Sequence, residues 1–203
     1  MEYDANMKGG EFIENSVQIR ETFYFANPEE IVSAFQVYAG HWYGAMLWDL
    51  YGDKANQVYH AWSTCVKLTW DVPRSTHTYL VEDVLAKDFL TVKQQLVGRF
   101  IGFFRGLLTS QSPEVQIVAN MVGRCALSTT GSNLLKINRE TGHDPWVEQS
   151  WKIQQSVTRA EVPLQDAYRV QYLKKLITAR MDKKSKALET DEIDRLIDSL
   201  CSS

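Results

Sequence analysis

Apolar residues along this chain recur at intervals of three and four. Leu96, Phe100, Phe103, Phe104, Leu107 and Leu108 form one stripe, and Val115, Val118, Ala119 and Val122 form another. That spacing gathers side chains on one face of a 3.6-residue turn and predicts amphipathic helices. The polar breaks between stripes carry helix-start chemistry. Asn27-Pro28-Glu29-Glu30 supplies a capping side chain, a first-turn proline and two carboxylates at the positive end of the helix dipole; Ser112-Pro113-Glu114 repeats the device, and so does Asp144-Pro145. No Asn-Gly or Asp-Gly turn separates alternating strands. Val66 to Trp70 has some strand character but continues the apolar face of Val58, Trp62 and Cys65, so helix is preferred. The pattern predicts an all-α fold, a compact multi-helix assembly with a helical C-terminal tail. Its helices are expected over 10–24, 28–48 with a break near Gly40, 54–70, 77–86, 90–110, 113–127, 131–141, 145–157, 164–182 and 190–200.

Composition sharpens this picture. In 203 residues, 44% are hydrophobic, with six Trp, nine Tyr and eight Phe, which is enough to build a packed interior and excludes disorder for most of the chain. No apolar run approaches the roughly 18 residues that span a bilayer, so no membrane partner is expected. The start, Met1-Glu2-Tyr3-Asp4-Ala5, lacks the basic and apolar stretches of a signal peptide. Cys65, Cys125 and Cys201 are an odd, widely separated set, which argues against a disulfide framework and for a reducing compartment. The expected location is therefore intracellular, in cytoplasm or nucleus. The net charge of −3 gives no global attraction to nucleic acid, so any basic surface must be local. The local excess lies between Arg159 and Lys186, where eight bases face Glu161, Asp166 and Asp182, a net of +5; Glu189 to Asp198 is acidic again.

Catalytic patterns do not assemble. Gly9-Gly10 and Gly40 to Gly44 lack the lysine of a phosphate loop. Cys65 with His77 and Cys125 with His143 have no close partner two to four residues away, so neither pair has zinc-ligand spacing, and no metal or cofactor is expected. His41 has no nucleophile in an elbow motif near it, and Asp49, Asp53, Asp71 and Asp83 are scattered. Tyr51-Gly52-Asp53-Lys54 is not the twin-aspartate hairpin of a two-metal polymerase. Two segments stand out. Pro73-Arg74-Ser75-Thr76-His77-Thr78 is a polar knot in which Ser75 or Thr76 is expected to cap the next helix, with Arg74, Thr76 and His77 as candidate phosphate contacts. The tail helix carries Arg169, Lys174, Lys175 and Arg180, either as a solvated face or as a surface for nucleic acid or a protein partner.

An ordered set of short motifs resembles a known family. Tyr43-Gly44-Ala45-Met46-Leu47-Trp48 resembles the Tyr-Gly-x-x-Leu-Trp segment that follows the polymerase core in non-LTR (LINE-type) retrotransposon reverse transcriptases. Trp62-Ser63-Thr64-Cys65-Val66-Lys67-Leu68 and the knot Val72 to Thr78 follow in the family's order. So do Arg99-Phe100-Ile101-Gly102-Phe103-Phe104-Arg105-Gly106-Leu107 and Thr129-Thr130-Gly131-Ser132-Asn133-Leu134. The resemblance covers about residues 10 to 150. It implies a thumb-like segment over 1–50, a helical C-terminal-domain-like body over 51–158 and, beyond it, the basic then acidic tail, 159–203. It also implies contact with an RNA or DNA template–primer through Arg74, Arg99 and Arg105. The palm with its Phe/Tyr-x-Asp-Asp metal site, an endonuclease domain and the Cys/His knuckle of some relatives have no counterpart here, so polymerase activity does not carry over. The sequence therefore points to a non-catalytic, nucleic-acid-contacting accessory region. The competing expectation is an all-α interaction module whose tail docks a helical protein partner.

Overall fold

A computed structural model describes residues 2–23, 26–40, 42 and 44–181. These residues form helices and connecting turns, and among them there is no strand. In chain order the helices are α1 (Glu2–Thr22), α2 (Pro28–Ala34), α3 (Asp53–Thr69), α4 (Thr78–Leu80), α5 (Val92–Leu108), α6 (Pro113–Arg124), α7 (Thr129–Thr141), α8 (Ser150–Ser156) and α9 (Ala167–Met181). Wider π-helical turns extend α2 over Phe35–Ala39 and α4 over Val81–Leu85. Short 3-10 turns stand at Ala45–Leu47 and Leu164–Asp166. The fold is all-α.

Helix starts follow local chemistry where a side chain can reach back. Asn27 accepts from the Glu30 amide at 2.9 Å while Glu30 accepts from the Asn27 amide, a reciprocal capping box with Pro28 in the first turn. Thr91 and Gln94 form a second box on α5, and Ser112 and Ser128 cap α6 and α7. Several expected boundaries move. The first helix begins at Glu2, because Gly9 lies within the helix and faces Val58 instead of breaking the chain. The helix over 28–48, expected to break near Gly40, does end at Ala39 with Gly40 as its cap; a left-handed Gly44 (φ 84°) then turns the chain into the separate short turn Ala45–Leu47. Asp144-Pro145 starts a turn instead of a helix: Asp144 accepts from the Trp146 amide at 3.0 Å, and α8 begins at Ser150. The helix expected over 190–200 lies outside the described residues.

Internal contacts divide the chain into two bodies that alternate along the sequence. The first takes the described residues of Met1–Phe12, His41–Ala61 and Leu90–Thr158; the second takes those of Ile13–Gly40, Trp62–Phe89 and Arg159–Ser203. This grouping runs across the three consecutive segments expected from the sequence and shares one boundary with them, after residue 158. The appended tail is corrected: residues 159–181 are integral to the second body. Arg159 donates to the carbonyls of Glu82, Ala86, Lys87 and Phe89, closing the C-terminal end of the α4 extension, and Leu173 and Leu176 of α9 are fully buried.

In the first body α5 is the central element. Leu96, Val97, Phe100, Ile101 and Phe104 are buried, and the helix packs against α6, α8 and the Ala45–Leu47 turn. Asn133 of α7 is buried; its amide nitrogen donates to the Trp48 carbonyl at 2.8 Å and its oxygen accepts from the Leu50 amide at 3.1 Å. α6 meets this body through Ala119 and Gly123, the residues it buries. A Cβ at Gly123 would come within 2.7 Å of the Phe104 ring and 2.8 Å of Trp146, so only glycine permits that approach. The stripe expected from the sequence is therefore split. Ala119 is inside, while Val115, Val118 and Val122 are exposed.

Candidate nucleic-acid interface

Within the second body, α9 sets the strongest candidate surface. Its fifteen residues, Ala167 to Met181, contain no carboxylate. Asp166, Arg169, Leu173 and Leu176 recur at three- and four-residue spacing and turn inward, leaving Tyr168, Gln171, Tyr172, Lys174, Lys175 and Thr178 exposed. Tyr168 and Tyr172 meet edge to face at 6.3 Å, and the Lys175 ammonium lies 5.8 Å from the Tyr172 ring. Two tyrosines followed by two lysines on the exposed side of one helix offer stacking platforms near phosphate contacts, the combination single strands require. Arg180 also falls on α9.

Arg169, expected among the phosphate contacts, faces the other way. It is buried, its guanidinium pairs with Asp166 at 3.0 Å, and Tyr79 Oη lies 3.5 Å from it. Tyr79 donates to the second Asp166 oxygen at 2.5 Å, and burial and this bond to a carboxylate hold the phenol above its usual pKa. The charge of Arg169 is thus used inside the fold, tying the start of α9 to α4 through Tyr79.

The polar knot is likewise more structural than its composition implies. His77, not Ser75 or Thr76, occupies the cap position of α4, and no side chain bonds there. Thr76 is buried, its amide donates to the Pro73 carbonyl at 3.0 Å, and its hydroxyl has no hydrogen-bond partner among the described residues. Burial corrects the expectation that Thr76 contacts nucleic acid. The His77 ring stacks on Tyr79 with centroids 5.0 Å apart. Lys67, whose ammonium burial pushes below the usual lysine pKa, donates to the Arg74 carbonyl at 2.9 Å. Arg74 itself is exposed.

Arg99 and Arg105 belong to the first body. Arg99 is exposed on α5, whereas Arg105 donates to the Glu148 carbonyl at 2.7 Å and holds the turn before α8. The structure thus groups Arg74, His77, Lys174 and Lys175 in one body and Arg99 in the other. The tyrosines were missed in the sequence, although their signal was present: a Tyr pair four residues apart in a carboxylate-free basic helix. A further surface was missed on α6, where Ile117, Val118 and Met121 are 59%, 57% and 67% exposed.

Among the described residues no three His, Cys, Asp or Glu side chains converge as metal ligands. His143 is hydrogen-bonded to Ser156 at 2.9 Å, Cys65 is buried and Cys125 is exposed. No described helix is long and apolar enough to cross a membrane. Compared with known protein families, with curated proteins and with solved structures, the chain matches none.

Proposed function

We propose that the chain is a non-catalytic helical region that contacts nucleic acid, a remnant of the thumb and C-terminal domain of a retrotransposon-derived reverse transcriptase. The ordered motifs between Tyr43 and Leu134 support the origin, and a template–primer held beside a polymerase core is the partner it implies. The observation that carries the contact itself is the outer face of α9, where Tyr168, Tyr172, Lys174 and Lys175 are exposed without an intervening carboxylate. Lysine neutralises phosphate and releases counterions, and tyrosine stacks on any base, so binding on this face is sequence-tolerant.

Fluorescence-anisotropy titration of single-stranded RNA, single-stranded DNA and duplex at several salt concentrations tests this reading. With a net charge of −3, affinity at physiological salt should be on the order of 10 µM or weaker and should fall as salt rises. Replacing Lys174, Lys175 and Arg180 with Gln should weaken binding and flatten the salt slope by roughly 0.7–0.9 per lost contact. Tyr168→Leu with Tyr172→Leu should weaken single-strand binding more than duplex binding. Arg169→Gln, by contrast, should lower the melting temperature. Curves unchanged in the α9 variants would remove this reading. The chain would then stand as an all-α protein-interaction module, which the apolar outer face of α6 favours.

A further inference from the structure

We propose that α6 is the interface of a symmetric dimer, with the α6 helices of two copies of this chain packed antiparallel about a twofold axis. Because Ala119 and Gly123 are the residues that α6 turns inward, the opposite face presents Glu114, Ile117, Met121 and Arg124. Their spacing of three, four and three residues forms a straight seam about 15 Å long on an α-helix. The seam is its own complement when reversed about residue 119. Ile117 of one copy then meets Met121 of the partner subunit, and Glu114 meets Arg124 of the partner subunit, each contact occurring twice. A parallel arrangement would set Glu114 against Glu114 and Arg124 against Arg124, so charge selects the antiparallel one.

Three further observations fit a second copy as the occupant. Neither Glu114 nor Arg124 forms an ion pair among the described residues. Arg124 is instead steadied over the Trp146 ring at 5.6 Å, with its charge still available. Beside the seam runs an apolar groove of about 360 Å³, lined chiefly by Phe104, Leu107, Val115, Val118 and Val122. Leu127, 98% exposed, adds a projecting apolar side chain in the turn after α6. An exposed apolar patch on a monomer seldom exceeds roughly 300–600 Å². Ile117, Val118 and Met121, each more than half exposed on one helix, form apolar exposure of the kind that marks a protein-binding surface.

Sedimentation velocity of the full chain from about 1 to 100 µM should show a monomer–dimer equilibrium with a dissociation constant on the order of 10 µM. Met121→Glu and Ile117→Glu should each weaken it at least 30-fold, with circular dichroism and thermal melts showing that the fold is retained. Glu114→Arg and Arg124→Glu should each weaken it roughly tenfold, since one charge reversal disturbs two symmetric pairs. The double variant E114R/R124E should restore affinity to near that of the parent. A chain monomeric at 100 µM, a dimer indifferent to Met121→Glu, or single reversals that the double variant does not rescue would each overturn the proposal. The nucleic-acid reading rests on α9 variants and stands or falls separately.

Discussion

At Cys65, burial on the inner face of α3 pushes the thiol up to about 11, so the folded protein keeps it protonated well into alkaline solution. The sign follows from linkage. The native state holds a proton that the unfolded chain releases near the ordinary thiol value of 9.0, so this contribution to stability is complete below pH 9 and is lost between about 9 and 11. The loss should reach roughly 2–3 kcal/mol, and denaturant unfolding of Cys65→Ala across that interval should lack the corresponding slope. Cys125, exposed at the end of α6, should react with a thiol reagent at pH 8 on at least a hundredfold faster timescale than Cys65 in a Cys201→Ser background. Equal rates would mean that Cys65 is not held inside. The same scale shows why residue type misleads. Arg169 and Lys174 are both bases on one helix, yet Arg169 points into the fold toward Asp166 and Lys174 points to solvent. The helical phase between them was available in the sequence, but which side of α9 is inside depends on Tyr79, ninety residues away along the chain.

At the scale of elements, Asn133 joins α7 to the backbone of Trp48 and Leu50 through a buried side chain that no local signal announces. Asn133→Ala would leave an amide and a carbonyl unpaired in the interior, at a cost of about 2–4 kcal/mol. Chemical denaturation should show that loss, and a change under about 1 kcal/mol would mean that water or a shifted loop replaces both bonds. Arg159 is a second long-range clasp, satisfying the carbonyl end of the α4 extension from a position more than seventy residues later. Helix starts behaved differently. Asn27-Pro28 and Ser112-Pro113 were legible because the capping oxygen and the amides it satisfies lie within three residues. Asp144-Pro145 has the same letters, but Asp144 caps only the turn before α8. The α6 stripe was legible as a helix and illegible as a surface. Its periodicity gave the face, and Gly123 meeting Phe104 and Trp146 decided that the smaller side went inward.

For the molecule as a whole, the two contact bodies interleave along the chain, and the candidate binding residues divide between them. Synthesis is a separate matter. A polymerase needs paired carboxylates holding two metal ions, and the scattered Asp49, Asp53, Asp71 and Asp83 do not supply them. The purified chain should therefore not extend a primer. Extension that survives stringent purification and disappears on chelation would show that an active site was overlooked.

What the sequence determined by itself was local: the all-α class from three-and-four periodicity, most helix spans to within a few residues, two proline-led starts, and the basic bias of the segment containing α9. Each of these depends on groups within about two turns of one another, so neighbouring letters carry the physics. The tertiary structure decided which face of each helix is inside, and with it the fate of the candidate site. Thr76 and Arg169 were withdrawn from solvent, Arg105 was drawn to the Glu148 carbonyl, and Tyr168, Tyr172 and the apolar side of α6 were left outside. Those outcomes turn on close packing and on satisfying buried polar groups between segments distant in sequence, at Gly123 against Trp146, Asn133 against Trp48 and Arg169 against Asp166 and Tyr79. A helical period leaves a rotation undetermined, and only the partners that a helix meets in three dimensions fix it.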